Sequence, residues 1–278
     1  MIELVCKNCG KTFQSQRRSK QFCSCACSNA WNGAHRETPK QTRPDRIVWS
    51  SGGGVQSTAI AVLICQGKLP KPDLALMIDC GYESSRTWEY VKGVTIPRLK
   101  DAGVNLQIVP SSRYVDVGLF SKSGHCVLPA FRVNPDGSIS HFSTHCNGLW
   151  KQYVTKKFVR ESGIDRFVHW IGISTDESRR ARGNSGAKYI EVEYPLIDLG
   201  LSRKDCAELI RSSGWPMPAR TSCIICPQRT MFEWLKLKVE CPDDFEEACR
   251  IEDEIREKDP SVFINSRCKP LRDILADD

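Results

Sequence analysis

The sequence predicts an α/β protein, built on a mainly parallel sheet flanked by helices and preceded by a small metal-binding module. Three observations predict it. From residue 46 onward, short apolar runs alternate with helical periods. A glycine-rich turn joins the first such run to the first helix, the junction at which doubly wound sheets bind phosphates. Ahead of both lie four cysteines in two close pairs, in a stretch too short to bury a core.

Each element follows in order. Arg46 to Ser50 is a short apolar strand ending in glycines, and Ser57 to Gln66 an apolar helix. Asp73 to Asp79 reads as a buried strand, Arg86 to Ala102 as a helix interrupted by Pro97, and Val104 to Val109 as a third strand. Residues 110–145 carry no clear period and read as a long loop or insertion. Asn147 to Ser162 is helical, Arg166 to Ile173 a strand, and Ser174 to Lys188 a polar, arginine-rich stretch before strand Tyr189 to Tyr194. Ser202 with Asp205 three residues on marks a capping box, opening a helix to Ser212. Pro242 to Lys258 is an amphipathic acidic helix. The organisation expected is a zinc-binding module over 1–30, a polar linker with two prolines over 31–45, and a catalytic domain over 46–278.

Composition narrows the class. With 278 residues, 40% hydrophobic and 26% charged, the chain has the make-up of a soluble globular protein. No apolar run approaches the roughly 20 residues that span a bilayer, and the first residues form no secretory h-region. A cytoplasmic protein with no membrane partner is expected. Of a net charge of +7, the first 46 residues hold nine basic and three acidic groups, leaving a nearly neutral body. A small basic module suits a nucleic acid as partner.

Cys6, Cys9, Cys23 and Cys27 are spaced C-x2-C, then thirteen residues, then C-x3-C. Two close thiol pairs brought together by a loop give Zn²⁺ its tetrahedron, and metal binding supplies the folding energy such a short segment lacks. Cys25 lies between two of them and offers a substitute for Cys23 or Cys27. The turns around Cys9 and Cys23 resemble the knuckles of zinc-ribbon or treble-clef modules.

The turn Ser50-Ser51-Gly52-Gly53-Gly54-Val55-Gln56-Ser57-Thr58 offers backbone amides and hydroxyls at a helix N-terminus, a built-in phosphate cradle. It lacks the lysine of a Walker A loop and the third glycine of a dinucleotide fingerprint. Gly52 to Ser57 resembles the Ser-Gly-Gly-x-Asp-Ser loop of the PP-loop ATP pyrophosphatases, which include the PAPS reductases, with Gly52 for Ser and Gln56 for Asp. That variant resembles a reductase-like branch often found in phages. Asp79-Cys80-Gly81-Tyr82-Glu83 with Thr87 resembles the segment after the second strand of PAPS reductases. Gly172 to Arg180 resembles their nucleotide-binding loop, and Arg203-Lys204-Asp205-Cys206 fits the same branch. The likeness covers residues 46–272 and implies an adenine nucleotide alpha-hydrolase-like fold. It further implies ATP with Mg²⁺, with phosphates on Gly52, Gly53, Gly54, Val55, Gln56, Ser57 and Thr58, and with Asp79, Gly172, Ser174 and Arg180 nearby. Arg182 and Lys188 are expected to join Arg180 on the phosphates.

A second cysteine set, Cys146 with Cys223 and Cys226 of Cys223-Ile224-Ile225-Cys226-Pro227, would hold an inorganic centre or act as redox thiols. It resembles the iron–sulfur ligands of APS reductases and of certain tRNA thiolases, which implies a [4Fe–4S] cluster; zinc is the alternative. The fourth ligand is open among none, His145, Cys206 and Cys268. Cys65, Cys80, Cys241 and Cys249 read as small core residues.

The reading this supports is an ATP-dependent sulfurtransferase acting on a nucleic acid or nucleotide through an adenylated intermediate, with Cys146, Cys223 and Cys226 catalytic and a sulfur-donor protein as partner. One alternative is a reductase of PAPS or APS, using Cys268 activated by Arg267 and Lys269. The other is a non-catalytic nucleotide- and nucleic-acid-binding protein, a reading favoured by Gln56.

Overall fold

The computed structural model describes residues 1–34, 45–116, 118–143, 145–181 and 189–274. Most of the expected linker, together with Arg182 and Lys188, lies outside them. The chain divides into two compact units, Met1–Arg43 and Pro44–Asp278.

In the first unit, β1 (Ile2–Val5) pairs antiparallel with β2 (Thr12–Ser15). The connection is a tight knuckle. The Gly10 amide donates to the Cys6 carbonyl at 2.9 Å, and the Cys6 amide donates to Lys11 at 2.9 Å. Gly10 adopts φ +69°, which only glycine takes at little cost. Helix α1 (Cys25–Ala34) follows.

The second unit is a five-stranded parallel sheet. Strand β3 (Ile47–Ser50) lies at its centre, with β4 (Leu74–Asp79) and β5 (Leu106–Pro110) on one side. On the other side are β8 (Phe167–Ile171) and β9 (Ile190–Glu193), giving the order β5-β4-β3-β8-β9. Winding reverses between β3 and β8, so the C-terminal ends of those strands flank a topological switch point. Helix α2 (Val55–Cys65) leaves there. It is apolar on every side and buried from Val55 to Ile64, as a helix without a solvent face must be. It starts two residues earlier than its apolar run suggests, because Gly54 supplies the N-cap.

The helix expected to break at Pro97 instead consists of α3 (Ser85–Tyr90), a wide π-helical turn over Val91–Thr95, and α4 (Ile96–Asp101). Thr95 and Ile96 keep helical dihedrals, so the helix runs on into α4, and the wide turn directly before Pro97 accommodates its ring and missing N–H. Within residues 110–145, the structure adds a hairpin of β6 (Phe131–Val133) and β7 (Ile139–His141). Three-residue strands are too short to show a period.

Helix α5 (Val154–Glu161) follows a second π-helical turn, Asn147–Tyr153. A short α6 (Pro195–Asp198) precedes α7 (Arg203–Ser212), which opens on the expected Ser202–Asp205 capping box. Helix α8 (Met231–Glu240) opens on a second box, Thr230 with Glu233, and is an element additional to those expected from the sequence. Helix α9 (Pro242–Lys258) leads to β10 (Val262–Phe263), which closes a small sheet against β6.

Three cores result. One lies between the sheet, α2, α4 and α7, and one between the sheet and α5. A third, containing Trp234, Phe245, Ile251 and Ile255, packs α8 and α9 beneath Cys80 and Cys223. No helix among the described residues is long and apolar enough to cross a membrane.

Candidate nucleotide and metal sites

The glycine turn is shaped by its neighbours. At the end of β3, the Ser50 hydroxyl lies 2.7 Å from Nε2 of His169 on β8. The Gly52 amide donates to Ser57 Oγ at 2.9 Å and the Gly53 amide to Ser51 Oγ at 3.2 Å. Gly53 has φ +72°, and a Cβ there would lie 3.0 Å from Thr87 Cγ2. A Cβ on Gly54 would lie 2.6 Å from Thr221 Oγ1, and one on Gly172 would lie 3.3 Å from the Ser57 amide nitrogen. A side chain is therefore strained at Gly53 by its φ, meets the Thr221 hydroxyl at Gly54, and is tight against the start of α2 at Gly172. The segment before Cys223 is pressed directly onto the start of α2.

Gly54 caps α2 without any side-chain hydrogen bond, so the first turn keeps amides that no capping side chain occupies. That end of the helix lines a cavity of about 660 Å³ together with Gly172, Glu177, Arg180, Arg203, Arg220, Arg229 and Cys226. Four guanidinium groups against one carboxylate make the lining an anion site.

Gln56, standing where the resembled loop has Asp, is fully engaged. Its Oε1 accepts from Arg203 Nη1 at 2.9 Å, and its Nε2 lies 3.4 Å from both Ser174 Oγ and Glu177 Oε2. Glu177 also accepts from Arg180 at 2.8 Å. Of the expected nucleotide residues, Gly52, Gly54, Val55, Gln56, Ser57, Gly172 and Arg180 line the cavity. Thr58 and Ser174 are buried behind it. Asp79 ends β4 with Oδ1 accepting from the Gly81 amide at 2.7 Å and lies outside the lining.

Arg220 and Arg229 had no sequence motif to mark them. Arg220 pairs with Glu233. Arg229 is buried, its Nη2 donating to the carbonyls of Ser222 at 3.3 Å and Cys223 at 3.2 Å, and its guanidinium stacks over Trp234. Burial pushes its pKa down from the usual arginine range. It positions the turn that carries Cys223 and Cys226.

Around Cys223 the structure assembles a set that differs from the expected one. Its Sγ lies 3.5 Å from Cys80 Sγ, and Glu83 Oε1 lies 3.7 Å from Cys80 Sγ and 3.9 Å from Cys223 Sγ. Lys151 Nζ donates to the same carboxylate oxygen at 2.7 Å. Residues 82–83 and 223–224 are tied together by a bridge between Glu83 and Cys223, and the Ile224 amide donates to Tyr82 O at 2.7 Å. The contact with Cys223 lowers the Cys80 thiol and raises that of Cys223. Burial alone would lower Lys151, but the Glu83 charge and the two thiols raise it.

Cys80 is thus a core residue and a site residue at once. Its position directly after Asp79, at the rim where β4 ends, is the signal that marks it. Cys146 and Cys226 are neighbours of this set but not members of it. Burial raises the Cys146 thiol, and the nearby Cys226 and Cys80 raise it further. Cys226 closes its turn with its amide donating to Cys223 O at 3.1 Å.

The expected candidates for a fourth ligand lie elsewhere. His145 lines a different cavity with His125, Cys126 and Arg132. Cys206 is buried in the α7 core, where desolvation pushes its thiol to about 11. Burial also raises Cys268, despite Arg267 and Lys269 beside it, so it is not the activated thiol a reductase tail needs.

In the first unit, the ligand atoms of Cys6, Cys9, Cys23 and Cys27 lie within 4.8 Å of one another. Cys9 and Cys23 are 3.7 Å apart, and Cys23 and Cys27 3.6 Å. Burial opposes ionisation of Cys6, but the backbone amides of Cys23, Cys9 and Asn8 bring it down to about 6. Contact with Cys27, Cys6 and Cys9 holds Cys23 up at about 12. Cys25 is exposed and stands outside the group.

No protein-family model matches the chain, and no curated protein matches it. Among solved structures it is similar to the U34-tRNA thiolase NcsA from Methanococcus maripaludis, determined with its [4Fe–4S] cluster. That similarity has a TM-score of 0.43 and 15% identity, over 94% of this chain and 84% of that one. At this level the functional reading rests on the side chains of the chain itself.

Proposed function

We propose that the chain is an ATP-dependent sulfurtransferase that cleaves the nucleotide between its α- and β-phosphates and thiolates a nucleic acid or nucleotide. One observation carries the reading: a single cavity is lined by the start of α2, which no side chain caps, by four arginines and by Cys226. Phosphate recognition and a nucleophilic sulfur then meet in one place.

The triphosphate lies along Gly52 to Ser57, and Arg180, Arg203, Arg220 and Arg229 neutralise it. Mg²⁺ carried on the phosphates would offset charge at the α-phosphorus. A carbonyl oxygen of the acceptor attacks the α-phosphorus and expels pyrophosphate, which leaves that oxygen adenylated and the carbon bearing it activated. Cys226, loaded as a persulfide by a sulfur-donor protein, attacks that carbon through its outer sulfur, and AMP leaves with the oxygen. The Cys146 thiol then attacks the inner sulfur, Cys226 Sγ, which forms a Cys146–Cys226 disulfide and expels the outer sulfur on the carbon as the thiocarbonyl product. An external thiol reductant restores both cysteines.

Zn²⁺ suits the four thiols of the first unit, since their separations are those of ligands on one tetrahedral ion. The basic residues around that centre would draw in a polyanion. A [4Fe–4S] cluster on Cys146, Cys223 and Cys226 was the expected centre of the second unit. Its chemistry would suit three thiols, each on a separate iron, but Cys223 is packed against Cys80 at the separation of two ligands on one ion. That contact groups Cys223 with Cys80 and Glu83 rather than with Cys146 and Cys226.

The test is to incubate the full chain with ATP, Mg²⁺, a persulfide donor and pooled tRNA, DNA or free nucleosides. Nucleosides are then digested and analysed by mass spectrometry for oxygen-to-sulfur exchange. A thiolated nucleoside formed only with ATP is the expected result. Sulfite release from PAPS, with no thiolation, would replace this reading by the reductase.

A further inference from the structure

We infer that Cys80, Glu83 and Cys223 form a mononuclear metal site of the second unit, built for a soft divalent ion such as Zn²⁺ and left one ligand short of a tetrahedron. The inference stands apart from the sulfurtransferase reading, because it rests on donor geometry and not on the phosphate cavity.

The distances decide the nuclearity. With Zn–S near 2.3 Å and Zn–O near 2.0 Å, two sulfurs on one tetrahedral ion lie about 3.8 Å apart, and a sulfur and an oxygen about 3.5 Å apart. The three observed separations are 3.5 Å for sulfur to sulfur, and 3.7 and 3.9 Å for sulfur to oxygen. The thiols of the four-cysteine group in the first unit have the same spacing, 3.7 and 3.6 Å. A disulfide would hold its sulfurs near 2.05 Å. Two cysteines on different irons of a cubane must stand farther apart than two on one ion.

The charges point the same way. A divalent ion would displace the thiol protons and sit among two thiolates and a carboxylate whose side chain is 3% exposed. Lys151 supplies one positive charge through its 2.7 Å bond to Glu83 Oε1, and a divalent ion supplies the other two, so the site is neutral when loaded. Lys151 then stands behind the carboxylate ligand, as outer partners of metal ligands do.

The three ligands come from two segments already joined by backbone bridges, which fixes them before any metal arrives. Three protein donors and an open fourth position are the pattern of a zinc site that takes a small ligand such as water, hydrosulfide or a thiolate.

The full chain purified without oxygen, with zinc and iron measured per chain, tests this. Wild type should carry two zincs and no cluster iron. Cys6→Ser with Cys9→Ser should carry one, and Cys80→Ser should carry one. Cobalt loaded in place of zinc into the Cys6→Ser/Cys9→Ser chain should show thiolate-to-metal charge transfer and tetrahedral d–d bands. Cys80→Ser in that background should lose them, and Cys146→Ser should keep them. Loss of a ligand should weaken cobalt binding at least about 100-fold, and Lys151→Met about 10- to 100-fold. Cluster iron that persists in Cys80→Ser and vanishes in Cys146→Ser would overturn the inference, as would one zinc per chain in wild type. Should Cys80→Ser fail to fold, Glu83→Gln and Lys151→Met carry the comparison: unchanged cobalt binding in both overturns the inference, and weakened binding supports it. These readouts do not involve ATP, so they fail or succeed separately from thiolation.

Discussion

In the proposed reaction Cys226 and Cys146 would divide the chemistry at the level of single atoms. Cys226 lines the cavity, whereas Cys146 is half-buried beside it with a thiol raised by burial. A thiol with a raised pKa is a poor first nucleophile and serves as the group that resolves a mixed species. Cys226→Ser should therefore abolish thiolation while AMP formation in the presence of acceptor continues. Quantifying both products in the same reaction checks this; equal loss of the two would assign Cys226 to nucleotide binding instead. The roles of the cysteines were only partly legible in the sequence. Spacing marks Cys6, Cys9, Cys23 and Cys27, because ligands of a short module must be near neighbours in the chain. It cannot mark Cys80 and Glu83, whose partner Cys223 is reached only through the sheet. Arg229 was equally invisible, since its work is to hold two carbonyls of a turn that forms on folding.

The start of α2 is where an element and its neighbour must fit. Gly54 has φ −90° and ψ −173°, which an alanine can adopt, so steric contact and not backbone strain excludes a side chain there. Gly54→Ala should drive its Cβ against Thr221 Oγ1, at 2.6 Å, and destabilise the fold by about 1–3 kcal/mol while weakening nucleotide binding. Adding Thr221→Ala removes the clashing atom and leaves Thr221 Cβ at an ordinary 3.7 Å. Thermal melts of the single and double variants check this: the double variant should recover most of the loss, and a failure to recover would mean the cost lies in the loop itself. The glycines were readable in sequence as a phosphate turn, but not the reason for the third, which depends on a residue far along the chain. Helix α8 escaped for a different reason. Its capping box stands in the sequence as Thr230-x-x-Glu233, but its burial is shared with α9 and gives no lone apolar face.

For the molecule as a whole, His169 couples the sheet to pH. It is partly buried on β8 between β3 and β9, its Nε2 lies against the Ser50 hydroxyl, and desolvation lowers its pKa to about 4. The folded protein therefore keeps it neutral where the unfolded chain, with a value near 6.5, takes up a proton. Stability from this group is complete above about pH 6.5 and falls progressively toward pH 4, by an amount on the order of 3 kcal/mol. Glu252, raised by burial, works in the opposite sense above the ordinary carboxylate range. Chemical denaturation of wild type and His169→Gln isolates the histidine: their stability difference should shrink between pH 6.5 and 4, and a constant difference would remove His169 as the cause. The parallel order of the sheet was the most legible feature at this scale, since alternating apolar runs and helices leave few other topologies. The β6–β7 hairpin and its pairing with β10 were not, because two- and three-residue strands gain their stability from partners distant in sequence.

The central claim is that the cavity at the head of α2 directs attack to the α-phosphorus. ATP labelled separately at the α- and γ-phosphates, incubated with the full chain, Mg²⁺ and acceptor nucleic acid, reads this directly. The account predicts that the α label appears in AMP and the γ label in pyrophosphate. Label recovered in ADP and inorganic phosphate, with pyrophosphatase absent, would contradict it.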